Sequence, residues 1–104
     1  MINIQITRNS SSLIKLNIYG HSGIKGKSIP CAAVSYMIQS ISNFCFTKSK
    51  KIYSDDGKIF IIDLIELKKL SNDLYEFLIF SLELISRDYP YDIKIEYLEE
   101  NNGT

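Results

Sequence analysis

The sequence lacks tryptophan and a net charge, and it has only one histidine, two cysteines and two prolines among its 104 residues. Twelve basic residues balance twelve acidic ones. This balance disfavours binding driven by nucleic-acid phosphates, which needs a basic surface. Two cysteines are too few for a disulfide scaffold, and one histidine with two distant cysteines cannot complete a zinc site. We therefore expect no direct nucleic-acid binding, no metal and no organic cofactor.

The sequence also has no hydrophobic run long enough to span a bilayer. Its N-terminus, MINIQITRNSSS, alternates apolar and polar residues and lacks the apolar core of a signal peptide. We therefore expect a cytoplasmic protein that does not bind membranes. Hydrophobic residues make up 45% of the chain and charged residues 23%, which is typical of a globular protein. We expect one domain over residues 1–100 and a frayed tail over residues 101–104.

Two strands are predicted near the N-terminus, because apolar and polar residues alternate there. The apolar positions are Ile2, Ile4 and Ile6 in the first strand and Ile14, Leu16 and Ile18 in the second. Few residues separate the strands, so an antiparallel hairpin is expected.

After a glycine-containing loop, the spacing of the apolar residues becomes that of a helix. They lie at positions 34, 37, 38, 41, 44 and 45. Ser28 is a plausible N-cap, and Pro30 is compatible only with the first turn because it has no amide hydrogen. We therefore expect the helix to begin just before Cys31.

The second half of the chain predicts further strands and one more helix. Residues 51–54 form a possible short strand, and KIFIIDLIEL has the apolar character of a central strand covered on both faces. The helix is expected from near Ser71 to about Arg87, with a capping box formed by Asp73 and Glu76. Its apolar residues cover more of the helix surface than the one face that packs on the sheet. This excess indicates a second partner surface. A final strand alternates over YDIKIEYLEE.

This order of elements predicts an α+β fold. We expect a four- to five-stranded, mostly antiparallel sheet with two helices packed on it as an α/β sandwich.

The chemistry of the chain is concentrated around His21 and Cys31. The start of a helix favours a thiolate, and a histidine at the preceding strand end could exchange protons with it. Backbone N–H groups near Cys31 and Ala32 are candidate oxyanion donors. The alternative is that His21 is a turn residue and that Cys31, like Cys45, is a small buried apolar residue.

Other polar residues favour structural roles. Asp55 and Asp56 could form a paired carboxylate site, but the adjacent Gly57 favours a turn. Asp63 interrupts an apolar strand and would need a partner if it were buried.

The motifs GH at residues 20–21 and CAAVS at residues 31–35 resemble those of the ribosomal-processing cysteine protease family, called Prp. The length and element order resemble that family over the whole chain. The resemblance implies a cysteine endopeptidase that removes the N-terminal extension of large-subunit ribosomal protein twenty-seven, and a homodimer. It implies that His21 and Cys31 are catalytic. It also implies supporting or substrate-binding roles for Gly20, Ala32 and Ser35, and a loop containing Gly23, Gly26 and Ser28.

Ser28 stands where the family commonly has an aspartate. A serine can cap the helix, but it cannot supply a negative charge to the histidine. Two other functions therefore stay open. One is a non-catalytic ribosome-associated module of the same fold that binds a peptide, and the other is a small RNA-binding or ribosome-assembly factor.

Overall fold

In a computed structural model, the part of the chain that is described forms a sheet of five strands in the order β3-β4-β2-β1-β5. The structure describes residues 1–20, 29–48, 52–55 and 59–100. The strands are β1 (Ile2–Asn9), β2 (Ser12–Tyr19), β3 (Tyr53–Asp55), β4 (Ile59–Asp63) and β5 (Ile93–Glu99). Three neighbouring pairs are antiparallel, and β5 pairs with β1 in parallel. The predicted α+β class and mostly antiparallel sheet are confirmed.

The described residues form three helices beside the sheet, where the sequence predicted two. They are α1 (Ile29–Phe46), α2 (Leu64–Leu70) and α3 (Asn72–Asp88). Their buried residues join the inward residues of the sheet in one hydrophobic cluster, whose members include Ile4, Leu16, Val34, Leu67 and Leu78. No helix among the described residues has the length and apolar content needed to cross a bilayer.

The predicted N-terminal hairpin is confirmed, with one change of register. Thr7 pairs with Lys15 and Arg8 pairs with Leu13, so Ile14 is an extra residue at a β-bulge. Because a bulge reverses the facing of the residues beyond it, Leu13 and not Ile14 packs against the core. The expectation that Ile14 shares the buried face of Leu16 was therefore wrong.

The strand predicted over KIFIIDLIEL is central, because β4 lies between β3 and β2, but its predicted length was wrong. The strand β4 ends at Asp63, whose side chain accepts hydrogen bonds from the backbone N–H groups of Ile65 and Glu66 at 3.0 and 3.1 Å. This carboxylate is the N-cap of α2, so it stops the strand and starts a helix. The strand is not covered on both faces, since Ile59 is exposed.

The second predicted helix corresponds to α3, but its cap differs from the prediction. Ser71 is the N-cap, and its hydroxyl accepts a hydrogen bond from the N–H of Leu74 at 3.2 Å. Asp73 therefore lies inside the first turn instead of forming a capping box with Glu76. The helix ends at Asp88, two residues before Pro90, as the sequence predicted.

The short strand predicted over residues 51–54 is observed over Tyr53–Asp55. A turn was expected over Asp55–Gly57, but Asp55 is the last residue of β3. The rest of that turn and the frayed tail over residues 101–104 lie outside the described residues.

Candidate active site

The strand β2 ends at Tyr19, and Gly20 follows it with a positive φ angle. Its φ angle is +92°, a conformation that a residue with a side chain rarely adopts. A Cβ atom at this position would lie 2.4 Å from the backbone oxygen of Met1. Gly20 is therefore required by the local backbone at the end of β2.

Cys31 is the third residue of α1, so the prediction that it lies in the first turn of a helix is confirmed. Pro30 precedes it in the same turn and is buried, as its missing amide hydrogen permits. Cys31 itself is half-buried and packs against the hydrophobic cluster. The residue is thus packed in part against the core and in part accessible to solvent.

The electrostatic setting of Cys31 favours negative charge. The first turn of α1 contains no acidic residue. The N-terminus of a helix carries a partial positive charge, which stabilises anions placed there. An oxyanion formed beside Cys31 would therefore meet a favourable field.

Cys45 lies on the same helix but in a different environment. It is fully buried in the core, and burial raises the pKa of its thiol. The two cysteines are fourteen positions apart, which corresponds to about 21 Å along a helix, far beyond the reach of a disulfide. The prediction that Cys45 is a small buried apolar residue is confirmed.

The neighbours of Cys31 on α1 have small side chains. Ala32 and Ala33 are exposed, so the surface beside the thiol is open to a polypeptide. Ser35 lies one turn after Cys31 and is also exposed. Its hydroxyl oxygen accepts a hydrogen bond from the side-chain amide of Gln39 at 3.2 Å.

The sequence analysis did not identify this contact between Gln39 and Ser35. The spacing of four residues between Ser35 and Gln39 is the signal that could have identified it, because such residues are neighbours on a helix.

The remaining predicted residues of the site, His21, Gly23, Gly26 and Ser28, lie outside the described residues. Their roles, and the pairing of His21 with Cys31, stay predictions. Within the described ranges, no three His, Cys, Asp or Glu side chains form a group that could hold a metal ion.

Residues 1–94 match the model of the family described as cysteine protease Prp. No curated protein matches the chain. SMU.848 from Streptococcus mutans has a similar structure, with 22% sequence identity, coverage of 96% of each chain and a TM-score of 0.72.

Two structures of an essential ribosomal processing protease Prp from S. aureus are also similar. The complex with a covalently linked product peptide has 24% identity and a TM-score of 0.74, and the complex with a substrate peptide has 23% identity and a TM-score of 0.71. Each alignment covers 93% of this chain and 99% of the other. At these identities the similarity shows the fold.

Proposed function

The chain belongs to the cysteine protease Prp family, and from this membership we propose that it is a cysteine endopeptidase that processes a ribosomal protein. The proposed substrate is the N-terminal extension of large-subunit ribosomal protein twenty-seven, and the proposed location is the cytoplasm. The observation that carries the proposal is the position of Cys31, half-buried in the first turn of α1. The S. aureus protease holds a product peptide through a covalent link, which agrees with nucleophilic catalysis in a protein of this fold.

The proposed reaction begins when the Cys31 thiolate attacks the scissile carbonyl carbon. A C–S bond forms, and the carbonyl electron pair moves to oxygen as an oxyanion. Backbone N–H groups at the start of α1, beside Cys31 and Ala32, stabilise that oxyanion. His21, protonated, then donates its proton to the leaving nitrogen as the C–N bond breaks.

The second half of the reaction releases the acyl group. His21 accepts a proton from water, and the resulting hydroxide attacks the thioester carbon. The C–S bond breaks, which releases the carboxylic acid product and restores the Cys31 thiolate. The proposed reaction requires no metal or organic cofactor.

Access to the site is the role that we propose for Gly23 and Gly26, in a loop that moves aside when an extended, aromatic-rich peptide binds. The N-cap of α1 is the role that we propose for Ser28. The exposed alanines at 32 and 33 would let the peptide backbone come close to the thiol.

Peptide cleavage tests the proposal directly. The substrate is a peptide spanning the N-terminal extension of the ribosomal protein from the same organism. Wild type is compared with Cys31→Ala and His21→Ala, and Cys45→Ala is the matched control for loss of a thiol. We expect cleavage by wild type and by folded Cys45→Ala, and none by Cys31→Ala or His21→Ala.

Two results would contradict the protease function. One is cleavage that persists in Cys31→Ala. The other is binding of the peptide by wild type without cleavage, which would favour the peptide-binding module.

A homodimer is the second part of the proposal, and an apolar stripe on α3 supports it. Phe77 and Phe80 are 61% and 63% exposed, and Leu84 continues their row at helical spacing. An open groove beside the stripe is lined mainly by Phe44, Leu70, Leu74 and Phe77. A soluble chain that exposes such a row is typical of a protein with a partner surface.

Sedimentation velocity tests the dimer, with Phe80→Lys as the disrupting variant. Tyr91→Lys is the matched control, because Tyr91 is an exposed aromatic residue outside α3. We expect wild type and Tyr91→Lys to sediment as dimers and Phe80→Lys as a monomer. A wild type that is monomeric at all concentrations would refute this part of the proposal.

A further inference from the structure

Three residues on one flank of α1 form a row that starts at the proposed nucleophile. Cys31, Ser35 and Gln39 are spaced by four residues, so each lies about 6 Å further along the helix and is rotated by about 40°. The rotation carries the row from the half-buried Cys31 to the exposed Gln39. A peptide with its scissile bond at Cys31 can therefore lie beside Ser35 and Gln39.

The hydrogen bond between Ser35 and Gln39 has a defined polarity. The Gln39 amide nitrogen donates, and the Ser35 hydroxyl oxygen accepts. A hydroxyl has one proton and can accept and donate at the same time. The proton of Ser35 is therefore directed away from Gln39 and remains available as a donor.

Ser42 of the same helix shows the contrasting arrangement. It is buried, and its hydroxyl donates to the backbone oxygen of Ile38 at 2.7 Å. Ser35 is exposed and has a donor side chain one turn further along the helix. Of these two serines, Ser35 is therefore the one whose hydroxyl faces both solvent and a neighbouring donor.

We propose that Gln39 is a positioning residue, which holds the Ser35 hydroxyl as a hydrogen-bond donor toward a backbone carbonyl of the bound substrate. The inference rests on the proposed protease function and adds a polarity requirement to it. A donor at position 39 keeps the Ser35 proton directed toward the peptide. An acceptor at position 39 draws that proton away from the peptide.

The test is a set of substitutions at position 39 that differ in hydrogen-bonding polarity. Gln39→Lys keeps a donor, Gln39→Leu removes the interaction, and Gln39→Glu supplies an acceptor of nearly the same shape. Asn43→Asp makes the same amide-to-carboxylate change on the exposed surface one turn further along and controls for charge. Thermal unfolding of each variant controls for helix stability, and kcat and KM are measured on the extension peptide.

Gln39→Glu should raise KM about three- to tenfold, the value of one ordinary hydrogen bond, with little change in kcat. Gln39→Lys and Asn43→Asp should stay close to wild type, and Gln39→Leu should lie between. In a Ser35→Ala background the effect of Gln39→Glu should disappear, because no hydroxyl remains to be redirected.

Two results would overturn the inference. One is a Gln39→Glu enzyme with the KM of wild type. The other is an equal loss with Ser35 present or absent, which would assign the effect to charge.

If wild type fails to cleave the peptide, the proposed protease function fails instead. The same series is then assessed by peptide affinity, where Gln39→Glu should weaken binding by the same factor.

Discussion

Replacing Gly20 with alanine should disturb the point where β2 leaves the sheet. The added Cβ would lie 2.4 Å from the backbone oxygen of Met1 and 3.2 Å from the side-chain nitrogen of Asn3. Since real Cβ atoms essentially never approach another atom as closely as the first of these distances, the start of β1 must move. That movement has a cost, because Asn3 donates to the Met1 oxygen at 3.2 Å and Ile2 donates to the backbone oxygen of Asp92 at 2.8 Å.

The magnitude follows from two contributions. A positive φ costs a residue with a side chain about 1–2 kcal/mol, and weakening one or both hydrogen bonds adds about 1 kcal/mol. We therefore expect Gly20→Ala to lower the free energy of unfolding by about 2–3 kcal/mol. The assay is urea unfolding followed by circular dichroism. Peptide cleavage by the variant should also fall under conditions where it is fully folded, because His21 directly follows the altered residue.

The control is the reverse change at a comparable backbone position. Ser10 in the β1–β2 turn has a φ of +55°, so Ser10→Gly relieves strain there. The gain is offset in part by the flexibility of glycine in the unfolded chain, and a net increase of about 0.5 kcal/mol is expected. A loss below about 0.5 kcal/mol for Gly20→Ala would refute the argument that this glycine is required by the backbone.

Three further predictions concern capping, thiol reactivity and pH. Asp63→Ala should lower the free energy of unfolding by about 1 kcal/mol, whereas Asp63→Asn keeps the capping oxygen; equal losses in urea unfolding would contradict the cap. A thiol reagent at pH 8 should modify Cys31 quickly and Cys45 only after unfolding, because burial protects Cys45 and raises the pKa of its thiol; two fast thiols in the native protein would contradict this. Burial, followed by the hydrogen bond from Tyr97 to Glu83, raises the pKa of Tyr97 from 10.0 to about 12. The phenol therefore ionises more easily in the unfolded chain, and its contribution to stability, complete below pH 10, should be lost as pH rises from 10 to about 12. Unfolding midpoints of wild type and Tyr97→Phe across that range test this, and an identical decline in both would contradict it.

Local patterns in the sequence were sufficient to predict most of the elements. The alternation of Ile2, Ile4 and Ile6 predicted a strand with one buried face, and all three side chains are buried. The position of Cys31 at a helix start followed from Pro30, whose missing N–H confines it to a first turn. The motifs around residues 20–21 and 31–35 indicated the family, and the match over residues 1–94 confirmed it.

The prediction failed where one residue had two possible roles. An aspartate such as Asp63 within an apolar run is compatible both with a polar position in a strand and with a helix cap. Only the packing of the residues that follow it distinguishes the two roles. Leu64 and Leu67 are fully buried when the chain turns into α2, and the carboxylate then caps the new helix. A strand continuing past Asp63 would have needed another way to bury both leucines.

The sequence by itself determined most of the periodic elements, the place of Pro30 in the first turn of α1, and the family. These depend on local rules, because side-chain period and backbone restriction act within a few residues. Only the tertiary structure decided the bulge at Ile14, the parallel pairing of β5 with β1 and the donation from Gln39 to Ser35. The bulge depends on strand register and the pairing joins residues about ninety positions apart. The hydrogen bond between Gln39 and Ser35 depends on which atoms of the two side chains meet. The spacing of the two residues in the sequence does not specify this.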